Sequence, residues 1–330
     1  MTNVPSLARV YEDYFRIGAA VSIPSLTTHS ELLKKHFSSI TAENDMKPAS
    51  IIPEKDEFRF KNADLIIDFA EQNNMLVRGH TIVWHNQTPE YFFLEESGDM
   101  VSAEVLRNRL KLYMERVFEH FRGKAYCWDL VNEAIDGESS KFFRKTKWLE
   151  ILGEDYIEQV FLLAREIAPE LQFFYNDYDA VIPEKRDKIY KLLKGMLEKD
   201  ISIDGLGIQA HWNIVDFEYD DIKRALEKYA SLDLDINITE LDVSVYSRKE
   251  KKLKLEEPTV EMMTKQAEFY GKIFEIFREY KDIISSVTLW GIADDYSWLD
   301  YFFGNERKNW PLLFTENHQP KEAFWKVVNF

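Results

Sequence analysis

Eight short apolar runs, each followed by a stretch with helical spacing, constrain this chain more than any other feature. The runs are Phe15–Ser22, Ser38–Asp45, Leu76–His85, Ala125–Ala134, Leu171–Asp179, Gly205–Trp212, Asp235–Val243 and Ser286–Asp294. They are close to continuous in apolar residues, the pattern of strands covered on both faces. Between them, Asn62–Asn74 carries Leu65, Ile66, Phe69 and Ala70 at helical spacing. Ser102 is placed to cap a helix whose stripe is Leu106, Leu110, Met114, Val117 and Phe121. Asp221–Ala230 and Thr259–Tyr280 read similarly. Strands of this kind, separated by helices, form parallel sheet, and eight of them can close on themselves. The expected fold is an α/β (β/α)8 TIM barrel, a single domain over residues 1–330. An open doubly wound sheet is the alternative, but it usually begins with a Gly-rich phosphate turn, and RIGAA at Arg16–Ala20 is no such turn.

No Pro/Gly/Ser-rich linker divides the 330 residues, a length within the range of one barrel. The net charge of −16, from 42 Lys+Arg against 58 Asp+Glu, argues against nucleic acid and anionic membranes as general partners. The one cysteine, Cys127, excludes an intramolecular disulfide and reads as a buried, inert thiol. The N-terminal MTNVPSLARVYEDYF has no apolar core or cleavage site, and no run of 18 apolar residues occurs. A cytoplasmic protein without a membrane anchor is expected. Oligomeric state is not legible.

A parallel barrel builds its site where strands end and the following loops begin. The second run ends in Glu43-Asn44 with Lys47 beyond, and the third holds His80, Trp84 and His85. The fourth ends in Asn132-Glu133 and the fifth in Asn176-Asp177-Tyr178. The sixth holds Gln209, His211 and Trp212, and the seventh Glu240 and Asp242. The eighth ends in Trp290, with Asp294 and Trp298 following. In a regular strand Asp129, Val131 and Glu133 share a face, as do His80 with Trp84, Gln209 with His211, and Glu240 with Asp242. Asn132 and Glu133 would point oppositely, so if both serve one site the backbone must leave the pleat there. A carboxylate at the mouth of an apolar strand is costly to ionise, which makes Glu133 a candidate proton donor with a raised pKa.

Two carboxylates in an aromatic-rich pocket suit glycosidic cleavage: one protonates the leaving oxygen and the other attacks or stabilises the anomeric carbon. Trp84, Trp290 and Trp298 would offer flat platforms for sugar rings, although any one tryptophan is more often core. The rival chemistry is metal ligation by His80, His85 and His211. The odd spacing of His80 and His85 puts them on opposite faces of a strand, and there is no HExxH pattern. Neither a catalytic metal nor a cofactor is expected.

Seven stretches carry a family resemblance: TAENDMKP (Thr41–Pro48), GHTIVWHNQTPE (Gly79–Glu90), WDLVNEA (Trp128–Ala134), YNDYD (Tyr175–Asp179), GIQAHW (Gly207–Trp212), ITELDV (Ile238–Val243) and WGIADDYSW (Trp290–Trp298). In this order the chain resembles the glycoside hydrolase family 10 endo-β-1,4-xylanases from about Phe15 to Phe330. The resemblance implies Glu133 as acid/base and Glu240 as nucleophile of a retaining hydrolase that works through a covalent glycosyl-enzyme. It implies that Asn132 holds the 2-hydroxyl of the sugar being cleaved. Glu43, Asn44, Lys47, His80, Trp84, Gln209, Trp290 and Trp298 would line the glycone side, and Tyr178 the aglycone side. His211 would sit against Glu240 with Asp242 behind it, and His85 would support the site. The implied substrate is a xylan-derived xylo-oligosaccharide. With no secretion signal expected, it would be imported and finished inside the cell. A β-1,4-glucanase or cellobiosidase on the same scaffold and a catalytically idle sugar-binding barrel are the alternatives. No carbohydrate-binding module is expected. Two departures stand out: Tyr91 replaces a Trp common in the family, and the charged loop Ser244–Thr259 matches no pattern.

Overall fold

The computed structural model describes residues 4–137, 140–302, 304 and 306–330. Its strands are β1 (Arg16–Val21), β2 (Ser39–Ala42), β3 (Leu76–Val83), β4 (Ala125–Asn132), β5 (Gln172–Asp177), β6 (Gly205–Ile208), β7 (His211–Asn213), β8 (Asp235–Ser244) and β9 (Ile284–Leu289). All pair in parallel: β1 to β5 each with the next in sequence, β6 and β7 both with β8, β8 with β9, and β9 with β1, which closes the sheet. The result is a (β/α)8 TIM barrel with helices around it, as the alternation of apolar runs implied.

The sixth run departs from expectation. Gly205–Trp212 is not one strand but two, because Ala210 adopts φ 62° and turns the chain out of the ladder. β8 spans the break, pairing with β6 through Asp235–Ile238 and with β7 through Asp242–Ser244. The eighth run also ends early: from Trp290 onward the chain leaves the sheet, with Gly291 at φ 138°. Both irregularities lie at the mouth of the barrel, where side chains must be re-aimed.

The helix Lys61–Gln72 buries Ala63, Ile66, Ile67 and Ala70 and leaves Leu65 43% exposed, so its buried stripe is not the expected one. The caps fall where the sequence puts them. Ser102 Oγ accepts the Val105 N–H at 3.3 Å, and Thr259 Oγ1 accepts the Met262 N–H at 3.2 Å. Outside the barrel, Trp128 packs on Phe118 and Phe121 of the helix Ala103–His120 and its cap. A Cβ on Gly79 would lie 2.2 Å from the Trp128 ring, so the β3–β4 pair has room only for glycine there.

Inside the barrel lies a buried ion cluster. Arg78 donates to both Asp129 oxygens at 3.2 and 2.5 Å and to Asn237 Oδ1 at 2.7 Å. His80 Nδ1 meets Asp129 Oδ2 at 2.9 Å. Burial works against the Asp129 charge, but Arg78 and His80 prevail and hold its carboxyl below the usual range. Cys127 is buried beside Arg78, and burial pushes its thiol up to about 12.

The loop Ser244–Thr259 is anchored. Val245 and Tyr246 pack with Trp310, Leu255, Met262 and Met263, and Arg248 forks onto the Asp179 carboxylate while lying 4.9 Å from the Phe217 ring. Tyr91 sits in a short 3-10 turn, Glu90–Phe92, half-buried against Phe92, with its hydroxyl 3.4 Å from the Ile52 carbonyl. No helix among the described residues is long and apolar enough to cross a membrane.

Candidate active site

β4 delivers Asn132 as its last ladder residue, and the chain then leaves the pleat: Glu133 has φ 57° and donates its N–H to the Asn176 carbonyl at 2.9 Å. That departure lets two adjacent side chains serve one pocket. A register shift between Asp129 and Val131 also intervenes, so Asp129 and Glu133 do not share one regular face as alternation predicts. Asp129 belongs to the barrel interior and Glu133 to its mouth.

A row of amides joins the two carboxylates. Gln209 Nε2 lies 3.1 Å from both Glu133 Oε1 and Asn132 Oδ1. Asn176 Nδ2 donates to Asn132 Oδ1 at 2.9 Å and to Glu240 Oε1 at 2.8 Å. Thr239 Oγ1 donates to Asn176 Oδ1 at 2.7 Å and so fixes which way that amide points. Gly207 is shaped to this network: a Cβ there would fall 2.1 Å from Asn176 Oδ1.

Glu240 is buried, and burial disfavours its charge. A hydrogen bond from His211, the charge of His80 and a bond from Asn176 overcome this and hold the carboxyl below its ordinary range. His211 Nε2 stands 3.1 Å from Glu240 Oε2 and Nδ1 2.9 Å from Asp242 Oδ2. Burial alone would make this imidazole neutral, but Asp242 and Glu240 lift it to about 10. Near neutral pH it is an imidazolium clamped between two carboxylates. Trp298 Nε1 donates to the same Asp242 oxygen at 2.8 Å, and its ring lies 4.8 Å from the His211 ring.

The surroundings of Glu133 differ. His85 Nε2 is 4.0 Å from Glu133 Oε2, and burial brings this imidazole down to about 4, with Glu133 opposing and Arg144 and Lys185 assisting. Arg144 Nε donates to the Glu133 carbonyl at 3.0 Å and its guanidinium bonds the Tyr178 hydroxyl. Lys185 stands 3.2 Å from the Tyr178 ring centre and pairs with Asp177 at 2.6 Å. Burial pushes Asp177 up to about 6 despite that lysine.

β2 and its loop supply the remaining wall. Lys47 Nζ donates to Asn44 Oδ1 at 3.1 Å and lies 4.7 Å from the Trp84 ring centre. Its burial lowers the ammonium, and Glu240, Glu43 and Glu133 pull it back up. Burial raises Glu43, which accepts from the Tyr296 hydroxyl at 3.2 Å. Trp290 is largely buried between His80 and His211, with ring centres at 5.4 and 6.3 Å. His80 itself is 2% exposed and engaged with Asp129, so it backs Trp290 rather than facing solvent. The expected opposition of His80 and His85 does not decide their placement, because a register shift between His80 and Val83 breaks the alternation.

Asn176, named in the sequence only as a strand end, takes a central place, and three contributors go beyond the residues picked out there. Tyr296 lies inside the motif WGIADDYSW, in the loop after β9, so the motif was the available signal. Arg144 and Lys185 lie in a polar loop and a helix with many other charges, and nothing local distinguishes them.

An ionised, immobilised carboxylate beside a second carboxylate of different environment, with hydroxyl-binding amides between them and indoles around, suits nucleophilic cleavage of a glycoside. The comparisons with known proteins agree. The model for "Glycosyl hydrolase family 10" matches residues 6–330. An endo-1,4-beta-xylanase from Geobacillus stearothermophilus is 47% identical over 99% of both chains. Two solved structures superpose closely. An endo-1,4-beta-xylanase from Caldicellulosiruptor owensensis has TM-score 0.96 at 50% identity and covers 99% of this chain and 100% of its own. A Paenibacillus barcinonensis xylanase complexed with a conduramine derivative has TM-score 0.97 at 45% identity over 99% of both. With the barrel, the paired carboxylates and a full-length match in hand, the chain belongs to glycosyl hydrolase family 10.

Proposed function

We infer that this endo-1,4-β-xylanase acts on xylan-derived xylo-oligosaccharides by double displacement, with Glu240 as nucleophile and Glu133 as acid/base. The observation that carries the reading is the clamp on Glu240: the imidazolium of His211 and the amide of Asn176 keep the carboxylate ionised and pointed. In the first step a Glu240 oxygen attacks the anomeric carbon while Glu133 gives its proton to the leaving oxygen. In the second, Glu133 takes a proton from water, which displaces Glu240. The Asn132 amide, bonded to Gln209 and Asn176, which meet the two carboxylates, would bind the 2-hydroxyl of the sugar in transit. No step needs a Lewis acid, so prolonged chelation should leave the rate unchanged.

The test uses both carboxylates. Glu240→Gly should abolish turnover, with azide yielding only an inverted glycosyl azide. Glu133→Ala should keep cleaving substrates with good leaving groups and gain rate with azide, with retention. An inverted sugar released by the unaltered enzyme would end the reading. Rates on xylo- against cello-oligosaccharides decide between a xylanase and a glucanase.

A cytoplasmic place of action on imported oligosaccharides is part of the same proposal. The lone buried thiol fits a reducing compartment. Recovery of the enzyme mainly from the medium of intact cells would overturn it.

A further inference from the structure

Apart from the carboxylate cleft, one cluster of metal-ligating side chains stands at the seam where the first and last barrel units meet. His29 follows β1, Asp295 follows β9, and His318 lies in the turn between Phe314 and Pro320. Among the described residues this is the one group of three His, Cys, Asp or Glu side chains whose ligand atoms all lie within 4.8 Å of one another. His29 Nε2 is 2.9 Å from Asp295 Oδ1, and His318 Nε2 is 3.6 Å from Asp295 Oδ2. Nitrogen and oxygen ligands stand roughly 2.0–2.2 Å from zinc, which puts tetrahedral neighbours roughly 3.3–3.6 Å apart, so the His318–Asp295 pair already fits and the His29–Asp295 pair needs to open by about half an ångström.

Behind the cluster, His29 Nδ1 lies 2.8 Å from Thr28 Oγ1, and that hydroxyl is 3.2 Å from the Pro24 carbonyl. The far nitrogen of His29 is thus held, with Nε2 turned toward Asp295 Oδ1 at 2.9 Å. Fixing a histidine through its far nitrogen is how metal sites orient their ligands. The ring of His29 is buried, whereas the side chains of Asp295 and His318 are 35% and 31% exposed, which leaves an entry path. Lys308 pairs with Asp300 and Glu316 and meets Asp295 at its backbone carbonyl, as it does Asp294.

We propose that His29, Asp295 and His318 form a binding site for a divalent first-row transition ion of the zinc type, which staples the loops after β1 and β9 to the C-terminal turn. Two imidazoles and a carboxylate favour zinc, nickel or cobalt over calcium or magnesium, with water completing the shell. The site is separate from the paired carboxylates and takes no part in their chemistry. It does reach the cleft indirectly, because Tyr296, next to Asp295, donates to Glu43.

The test is titration of the chelator-treated full chain with zinc alone and, in parallel, with cobalt alone. One equivalent of zinc should bind, and cobalt should give a visible absorption spectrum of the same stoichiometry. The thermal midpoint should rise by about 3–5 °C at a hundredfold excess over Kd. His318→Gln, at a partly exposed position, and Asp295→Asn should each weaken binding at least tenfold while keeping the fold by circular dichroism. Thr28→Val, which touches no metal, should weaken it about 10- to 100-fold. Absence of saturable binding below about 100 μM overturns the proposal, as does zinc binding of equal strength in the His318→Gln protein.

Discussion

His211 faces two carboxylates, and only its charged form satisfies both. Because its folded pKa is raised to about 10, its contribution to stability is fully present below the unfolded value near 6.5 and is lost as pH rises through about 10. The unfolding free energy of the native enzyme should therefore fall between pH 6.5 and 10 more steeply than that of His211→Asn, as followed by denaturant titration at each pH. Equal slopes would mean that the imidazolium is not the stored interaction. Asp242→Asn tests the same clamp from behind. With its anchor neutral, the imidazole loses its reason to stay protonated and Glu240 loses a proton donor. The acid limb of kcat/KM should move upward, with kcat reduced about 10- to 100-fold at the former optimum. An unmoved limb would show that Glu240 is held ionised by other means. Trp298, bonded to the same Asp242 oxygen, tests sugar selection. Trp298→Ala should slow aryl xylobioside hydrolysis yet narrow its lead over aryl cellobioside, since an indole beside the site can crowd the extra hydroxymethyl of glucose. An unchanged ratio would make Trp298 packing alone.

At the scale of single elements, the site depends on strands being irregular at their ends. Gly207 on β6 is the position where this can be probed without touching a reacting group. Gly207→Ala would drive a methyl into Asn176, the amide that bonds both Asn132 and Glu240. Since misplacement by about 1 Å can cost 10²-fold, kcat should fall roughly 10- to 100-fold while far-UV circular dichroism stays native. The strands and caps themselves were legible, because apolar runs, Ser102 and Thr259 act through local chemistry. Glu133 leaving its pleat was legible too, from the conflict of placing Asn132 and Glu133 in one pocket. The break at Ala210 was not, because an alanine at positive φ carries no mark in the sequence, unlike glycine. The same limit applies to His80 and His85, where counting residues along β3 assumed a pleat that the register shift interrupts. The stripe of Lys61–Gln72 was misjudged at Leu65 because periodicity gives a face only to within a residue or so, and contact with the barrel decides the rest.

Across the whole molecule, the barrel interior is held by charge as well as by apolar packing. Arg78 on β3 reaches Asp129 on β4 and Asn237 on β8, joining strands that do not all neighbour one another. Arg78→Met would leave the Asp129 carboxylate buried without its cation and should cost about 3–5 kcal/mol of unfolding free energy, measured by denaturant titration. Asp129, with its pKa depressed, gives stability present above the unfolded pKa near 3.9 and lost as pH falls through its lower folded value. Closure of the ring by β1 on β9 has a further consequence, in the order of synthesis. Arg16 Nη1 meets the Ser285 carbonyl at 3.4 Å across 269 positions of sequence, and Tyr11 donates to the Val327 carbonyl. On the ribosome β1 therefore emerges first and waits for its second neighbour until the last strand has been made. At about 5–20 residues per second, that interval is on the order of tens of seconds. Throughout it the nascent sheet presents two open edges, the outer side of β1 and the newest strand, each a template for pairing with another chain. A message truncated before β9 would never resolve them, and its product should collect in the insoluble fraction even though the strands already made are complete.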